Sequence, residues 1–327
     1  TTMTYLENSK QYTGSDLENI FFRPMLTGES AQDLGVRVLY NMPQPTHVQL
    51  WDGQRNILQK FTSAGWAGGK AATKYEKTVN LNRVKAELGF SAANYFSMVY
   101  EKVSSLVNTH MDDLSGTELE QAETALFKQA LAENIRVTMW IGDTSAASGY
   151  NTFDGLLKRI NGLVDDDGVY NFSYQAAALE DPAYVVELFD KLWAGADPRI
   201  PGLKADDRLA YFVSSDIYRL YEKYLDAKGA DAAYADAMNG RRTLAYHGIP
   251  VVDVRLGSYL GATSFRQSFV MLTDRRNLVL AVNTADMPGN EVRMWYNPDE
   301  MENRQRAVFM AGTQILDEAL ISFAYKQ

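Results

Sequence analysis

Ser63-Ala64-Gly65-Trp66-Ala67-Gly68-Gly69-Lys70-Ala71-Ala72-Thr73 is the tip of a segment, residues 46–85, that reads as one long β-hairpin. On the way in, Val48 and Leu50 alternate with His47 and Gln49. On the way out, Tyr75, Val79 and Leu81 alternate with Glu76, Thr78, Asn80 and Asn82. An isolated two-stranded ribbon is marginal in water, so this one needs a further surface to lie on. The tip sets loose glycines around a large aromatic, Trp66, that gains little by staying in solvent. A projecting arm that docks on another subunit satisfies both facts. Gly65, Trp66, Gly68, Gly69, Lys70, Lys74 and Lys77 are then its contact residues.

Charge sharpens that reading. The chain is acidic overall, with a formal net charge of -9, which argues against sequence-independent nucleic-acid binding over the whole surface. The hairpin is the exception: Arg55, Lys60, Lys70, Lys74, Lys77, Arg83 and Lys85 face only Asp52 and Glu76. The next polar block inverts the sign, with Asp112, Asp113, Glu118, Glu120 and Glu123 and no basic residue among them. Each run taken alone is an ordinary solvated face. Side by side, they suggest an arm of one subunit meeting the acidic block of its neighbour.

The rest of the chain has an unusual order of parts. Residues 1–45 are polar, punctuated by Gly14, Pro24, Gly28, Gly35, Pro43 and Pro45, and read as extended rather than packed. Residues 91–110 read as helical, with Tyr95, Met98, Val99, Val103 and Leu106 on one stripe. A long helix follows, opened by Ser115 or by Thr117 with Glu120 in capping-box spacing. Leu119, Ala122, Leu126, Ala130 and Ile135 recur along it until Gly142. About 25 residues at ~1.5 Å each make a spine nearly 40 Å long. Beyond Gly149 the pattern turns compact and mixed, with a helix opened by Asp181-Pro182, a buried strand at 209–213, and a helix from Ser215 to Gly229. Strands follow at 251–254 and 269–272. Long strands close the chain, with Val292, Met294 and Tyr296, then Val308 and Met310, then Ile321, Phe323 and Tyr325 at period two.

Sites of chemistry are scarce. Gly65 to Lys70 lacks the flanking glycine and the serine or threonine of a phosphate loop, since positions 64 and 71 are alanine. Asp165 to Gly168 is turn chemistry, because a calcium loop would need ligands where Leu163 and Tyr174 stand. His47, His110 and His247 are scattered, and only His110, near Asp112 and Asp113, has metal-ligand company. There is no nucleophile elbow and no dinucleotide-binding glycine motif. Asn171-Phe172-Ser173 is a glycosylation sequon by chance. With Cys 0 there is neither disulfide nor thiolate. The expectation is no catalytic residue, no cofactor and no metal. No apolar run reaches the ~20 residues of a membrane span, and the opening Thr1-Thr2-Met3-Thr4-Tyr5 shows no signal peptide. The absent initiator Met means trimming or processing of a longer precursor.

This order of segments resembles the major capsid protein of tailed bacteriophages, the Johnson or Hong Kong 97-type fold. Asn151-Thr152-Phe153-Asp154-Gly155-Leu156-Leu157-Lys158-Arg159-Ile160 looks like the entry into the family's axial domain. Phe212-Val213-Ser214-Ser215-Asp216-Ile217-Tyr218 and Tyr246-His247-Gly248-Ile249-Pro250-Val251-Val252 look like its strand-to-helix and Gly-x-Pro segments. Asp274-Arg275-Arg276-Asn277-Leu278-Val279-Leu280 looks like the way out. Ser15-Asp16-Leu17-Glu18-Asn19-Ile20-Phe21-Phe22-Arg23-Pro24 is similar to capsid proteins of phages infecting Bacteroidota.

The resemblance implies an α+β chain with an N-terminal arm (1–45) and an extended loop (46–90). It also implies a peripheral domain with the spine helix (91–149 and 290–327) and an inserted axial domain (150–289). It implies pentamers and hexamers closing into an icosahedral shell around double-stranded DNA, bound without sequence specificity, in a virion assembled in the bacterial host cytoplasm. Portal, scaffold or decoration proteins would be its partners. The type member crosslinks subunits through a lysine of this loop, a role that Lys70 or Lys74 would take here. Two other readings stay open: an encapsulin-like nanocompartment shell, and a soluble α/β enzyme with a site within 150–289.

Overall fold

The computed structural model describes residues 10–23, 36–40, 46–51, 74–91, 118–228, 234–235, 243–257, 259, 267–283, 290–297, 299–300 and 302–327. In chain order its first strands are β1 (Lys10–Tyr12), β2 (Arg37–Tyr40), β3 (Thr46–Trp51), β4 (Lys74–Val79) and β5 (Asn82–Ser91). Then come β6 (Tyr170–Tyr174), β7 (Leu209–Val213), β8 (Tyr234–Ala235), β9 (Thr243–Tyr246) and β10 (Ile249–Asp253). The last are β11 (Phe269–Asp274), β12 (Leu278–Asn283), β13 (Glu291–Asn297), β14 (Glu302–Ile315) and β15 (Ser322–Lys326). The described helices are α1 (Gly14–Asp16, running into a π-helical turn, Leu17–Phe22), α2 (Glu118–Ile141), α3 (Leu156–Asn161), α4 (Tyr184–Gly195), α5 (Ile200–Ala205) and α6 (Ser215–Lys228).

The strands form two sheets and a ribbon. One sheet runs β1-β13-β14-β12-β2, with β5 on the other side of β14; the second runs β6-β15-β11-β7-β10-β9-β8; β3 and β4 pair with each other. Two strands cross the division expected from sequence. β12 lies beside β14 in the first sheet, and the C-terminal β15 sits between β6 and β11 in the second. β12 is buried along its whole length and β15 over Ser322 to Ala324, and each sheet supplies a neighbour that pairs with their backbones.

The spine α2 carries the core. From Thr124 on it buries one stripe, Phe127 and Leu131 leading to Ile135, one residue out of phase with the Leu126 and Ala130 expected from spacing. From Ile135 to Gly142 every side is covered, because here the helix lies between both sheets. Trp140 meets Phe212 and Phe269 of the second sheet at ring distances of 5.7 and 6.3 Å, while Leu280, Val292 and Phe309 of the first belong to the same core. β14 also shows a phase correction: Ala307, Phe309 and Ala311 face this core, whereas Val308 and Met310 lie on the opposite face.

The N-terminal stretch differs from the extended arm expected. Leu17, Phe21 and Phe22 are fully buried, with Phe21 4.9 Å from Tyr12 and Phe22 5.0 Å from Phe309 by ring centroids. β1 pairs with β13, and β2 runs parallel to β12. Leu17 and Phe21, four apart, form an apolar face that helix geometry turns inward. The expected helix 91–110 lies outside the described residues except for Ser91, which ends β5.

Where α2 stops, Lys158 of α3 bridges two carboxylates, Asp143 at 2.8 Å and Asp154 at 2.6 Å. The Lys158 hydrogen bond, helped by Ser145, holds the Asp143 carboxyl down at about 2. Burial works against Asp154, yet Lys158 and Thr144 lower it too. Depressed folded-state values stabilise the fold above the ordinary value of 3.8, and that contribution disappears as pH falls towards about 2. Lys158→Met therefore lowers the unfolding midpoint at about pH 5 and has a much smaller effect at about pH 2.5. Denaturation at both pH values checks this, and an equal loss at both would refute it.

Candidate assembly interface

The ribbon expected from sequence exists at its base. Thr46 faces Val79 and Trp51 faces Lys74 in antiparallel register. Its further surface is supplied by this same chain: Val48, Val79 and Leu81 pack with Val279, Ala281 and Leu316 in a small separate core. Gln314 Nε2 donates to the Thr78 carbonyl at 2.9 Å. Lys77, read from sequence as a contact to another subunit, forms an ion pair with Glu318 of its own chain. This pairing was not visible locally, since 241 residues separate the two.

The outgoing strand also ends earlier than expected. Val79 closes β4, Asn80 and Leu81 form a break, and Asn82–Ser91 turns into the first sheet beside β14. Gly312 makes this turn possible. A Cβ there would overlap the Asn80 carbonyl oxygen, so the two backbones touch only because residue 312 has no side chain. Gly312→Ala should push the ribbon off its seat, at a cost of about 1–3 kcal/mol. Faster proteolysis near residues 74–81 would report it, and unchanged cleavage would sink the idea.

The other predicted contact residues divide by position. Gly65, Trp66, Gly68, Gly69 and Lys70, with Asp112 and Asp113, lie outside the described residues. Lys74 begins β4, and Glu118, Glu120 and Glu123 occupy the first turns of α2. Their side chains are outside the description as well.

Elsewhere the electrostatics are those of a packed scaffold. Burial raises the hydroxyls of Tyr174, Tyr211 and Tyr246 and pushes Tyr221 up to about 12. The Arg136 hydrogen bond lowers Glu133. Each moves further from neutral pH. Ser214, Ser268 and Tyr174 form a buried hydroxyl cluster, with Tyr174 and Ser268 2.6 Å apart. Ser214 Oγ donates to Asp216 and accepts the Phe269 N–H at 3.1 Å, so it ties β7 to β11. Among the described residues no group of carboxylates and histidines is arranged to hold a metal ion. No helix there is long and apolar enough to cross a membrane.

No protein-family model matches the chain, and no curated protein matches it either. Solved structures do. A chain of the satellite phage P4 procapsid with size determination (Sid) protein aligns at a TM-score of 0.58 and 9% identity, covering 93% of this chain and 97% of that one. The capsid of the native GTA particle aligns at 0.51 and 15%, covering 91% and 89%. A chain of the holo-SrpI encapsulin complex from Synechococcus elongatus PCC 7942 aligns at 0.47 and 8%, covering 88% and 84%. What such low identities share is architecture: the chain has the Hong Kong 97-type fold of phage capsid proteins.

Proposed function

We propose that this chain is the repeating subunit of a tailed-phage capsid, forming the pentamers and hexamers of an icosahedral shell around double-stranded DNA, and has no catalytic role. The observation that carries the reading is the nearly complete two-way coverage of the P4 procapsid chain. An acidic subunit suits that role. A head filled by a motor need not condense its genome by charge, and binding by the phosphate backbone would require a basic surface. The virion is the corresponding location. We keep the division into arm, extended loop, peripheral and axial domains, with β12 assigned to the peripheral sheet and β15 to the axial one. The corresponding subunit contact sets the basic loop against the acidic start of the spine of a neighbour. Lys70 and Lys74 take the basic part and Lys77 does not, being occupied by Glu318.

Electron microscopy of the purified protein tests this: closed shells are expected, and a small defined oligomer on size exclusion would overturn it. Particles holding protein cargo in place of DNA would favour the nanocompartment reading. For the contact, Lys70→Glu with Lys74→Glu should block assembly, and Glu118→Lys with Glu120→Lys should partly restore it. Each exposed pair contributes only ~0.2–1 kcal/mol, but every subunit repeats it, and salt weakens it over roughly 8–10 Å. Normal shells from the first pair of substitutions would leave the docking to Trp66.

A further inference from the structure

β5 has one paired edge and one open one. It meets β14 along all ten residues, Asn82–Ser91, and among the described residues no strand lies on its other side. The open edge borders a groove of about 520 Å³ lined by Val84 to Leu88, by Phe127, Leu131 and Ile135 of α2, and by Tyr150 and Phe153. Leu88 points into this space and is 37% exposed. A long strand edge beside an apolar groove is a template for another strand.

We propose that the occupant is β5 of a second copy, paired antiparallel about a two-fold axis at Ala86. The proposal rests on the shell reading, in which copies of this chain pack side by side. It is carried by self-complementarity. A two-fold axis normal to the sheet places residues of one face opposite each other, and with Ala86 on the axis Lys85 meets Glu87 twice. Val84 meets Leu88 over the groove, and Arg83 stands opposite Gly89. At Gly89 the absent side chain leaves the second copy's Arg83 facing Glu302, whose Oε2 lies 3.4 Å from where a Cβ would be. Moving the axis by one residue puts Lys85 against Lys85 or Glu87 against Glu87, and like charges directly opposite destabilise a sheet. In the single chain Lys85 and Glu87 pair with each other at 3.0 Å while 60% and 53% exposed, so both remain available to a neighbour.

The absence of cysteine makes the test clean. Ala86→Cys places one thiol on the axis, where opposed Cα atoms of an antiparallel pair lie within disulfide reach. Leu88→Cys puts its two thiols four residues apart along the strand, about 13 Å and out of reach. Mild oxidation of assembled particles should give at least about tenfold more covalent dimer from Ala86→Cys than from Leu88→Cys. Adding Lys85→Glu should abolish the link, and Lys85→Glu with Glu87→Lys should restore it. Equal linking at both positions, or none from Ala86→Cys in particles that form normally, overturns the pairing and leaves the shell reading standing. An Ala86→Cys thiol that stays reduced yet resists alkylation means that another occupant holds the edge, which also overturns it. An unsubstituted chain that builds no particles overturns both.

Discussion

Trp140→Ala should destabilise the isolated subunit by about 3–5 kcal/mol. Trp140 is fully buried near the end of α2 and touches aromatic rings of the second sheet while sharing its core with the first. Truncation opens a void at the point where three layers meet, and close-packed neighbours relax only partly into it. Collapse is hindered further by Gly155, whose backbone lies against that of Trp140 and whose N–H donates to the Gly142 carbonyl at 2.8 Å. Among the described residues the buried indole Nε1 has no hydrogen-bond partner. Trp140→Phe removes that unpaired donor and keeps most of the apolar volume, so it should cost about half as much or less. Urea denaturation of disassembled subunits measures both. A loss below about 1 kcal/mol for Trp140→Ala would mean that the two sheets are held together elsewhere.

Local text carried most elements and little of their partnership. The stripe up to Ile135 and the stop at Gly142 announce the spine, described from Glu118 to Ile141, while its capping residue Thr117 lies outside the described residues. Asp181-Pro182 announces α4, and Ser215 opens α6. The missed features were those settled between distant segments. Asn82 to Ser91 alternates just as Lys74 to Val79 does, and only the Gly312 backbone, some 230 residues later, explains why the chain bends at Asn80. The acidic and basic runs were plain, but Glu318, which claims Lys77, lies beyond any sequence window. The phase of β14 was inverted for a related reason. Both faces of that strand are covered, one by α2 and one by the ribbon, so alternation alone could not say which face was the main core. Assembly surfaces are harder still to read, because an edge such as β5 follows ordinary strand rules until a second copy is brought beside it.

Arg199→Met should cost about 3–5 kcal/mol, chiefly by stranding the Asp317 carboxylate. Asp317 is only 7% exposed and accepts a hydrogen bond from Arg199 Nη1 at 2.8 Å. Arg199 Nε donates to Asp197 at 2.9 Å, and this bond, with Asp317, raises the guanidinium further above its already high value. The site is where the chain leaves the first sheet for the second. Asn277, just before β12, clamps the Asp317 backbone from both sides: its Oδ1 accepts the Asp317 N–H and its Nδ2 donates to the Asp317 carbonyl, both at 2.7 Å. Five residues after Asp317, at Ser322, β15 enters the second sheet. Arg199→Met with Asp317→Asn should recover part of the loss, because a neutral amide is less costly to bury than an unpaired carboxylate. Lys191→Met is the comparison, since its pair with Glu187 is about half exposed and one helical turn away; it should change stability by no more than about 0.5 kcal/mol. If Arg199→Met proves as mild as Lys191→Met, the crossing into the second sheet is held by Asn277 and apolar packing, and the ion pair is incidental to it.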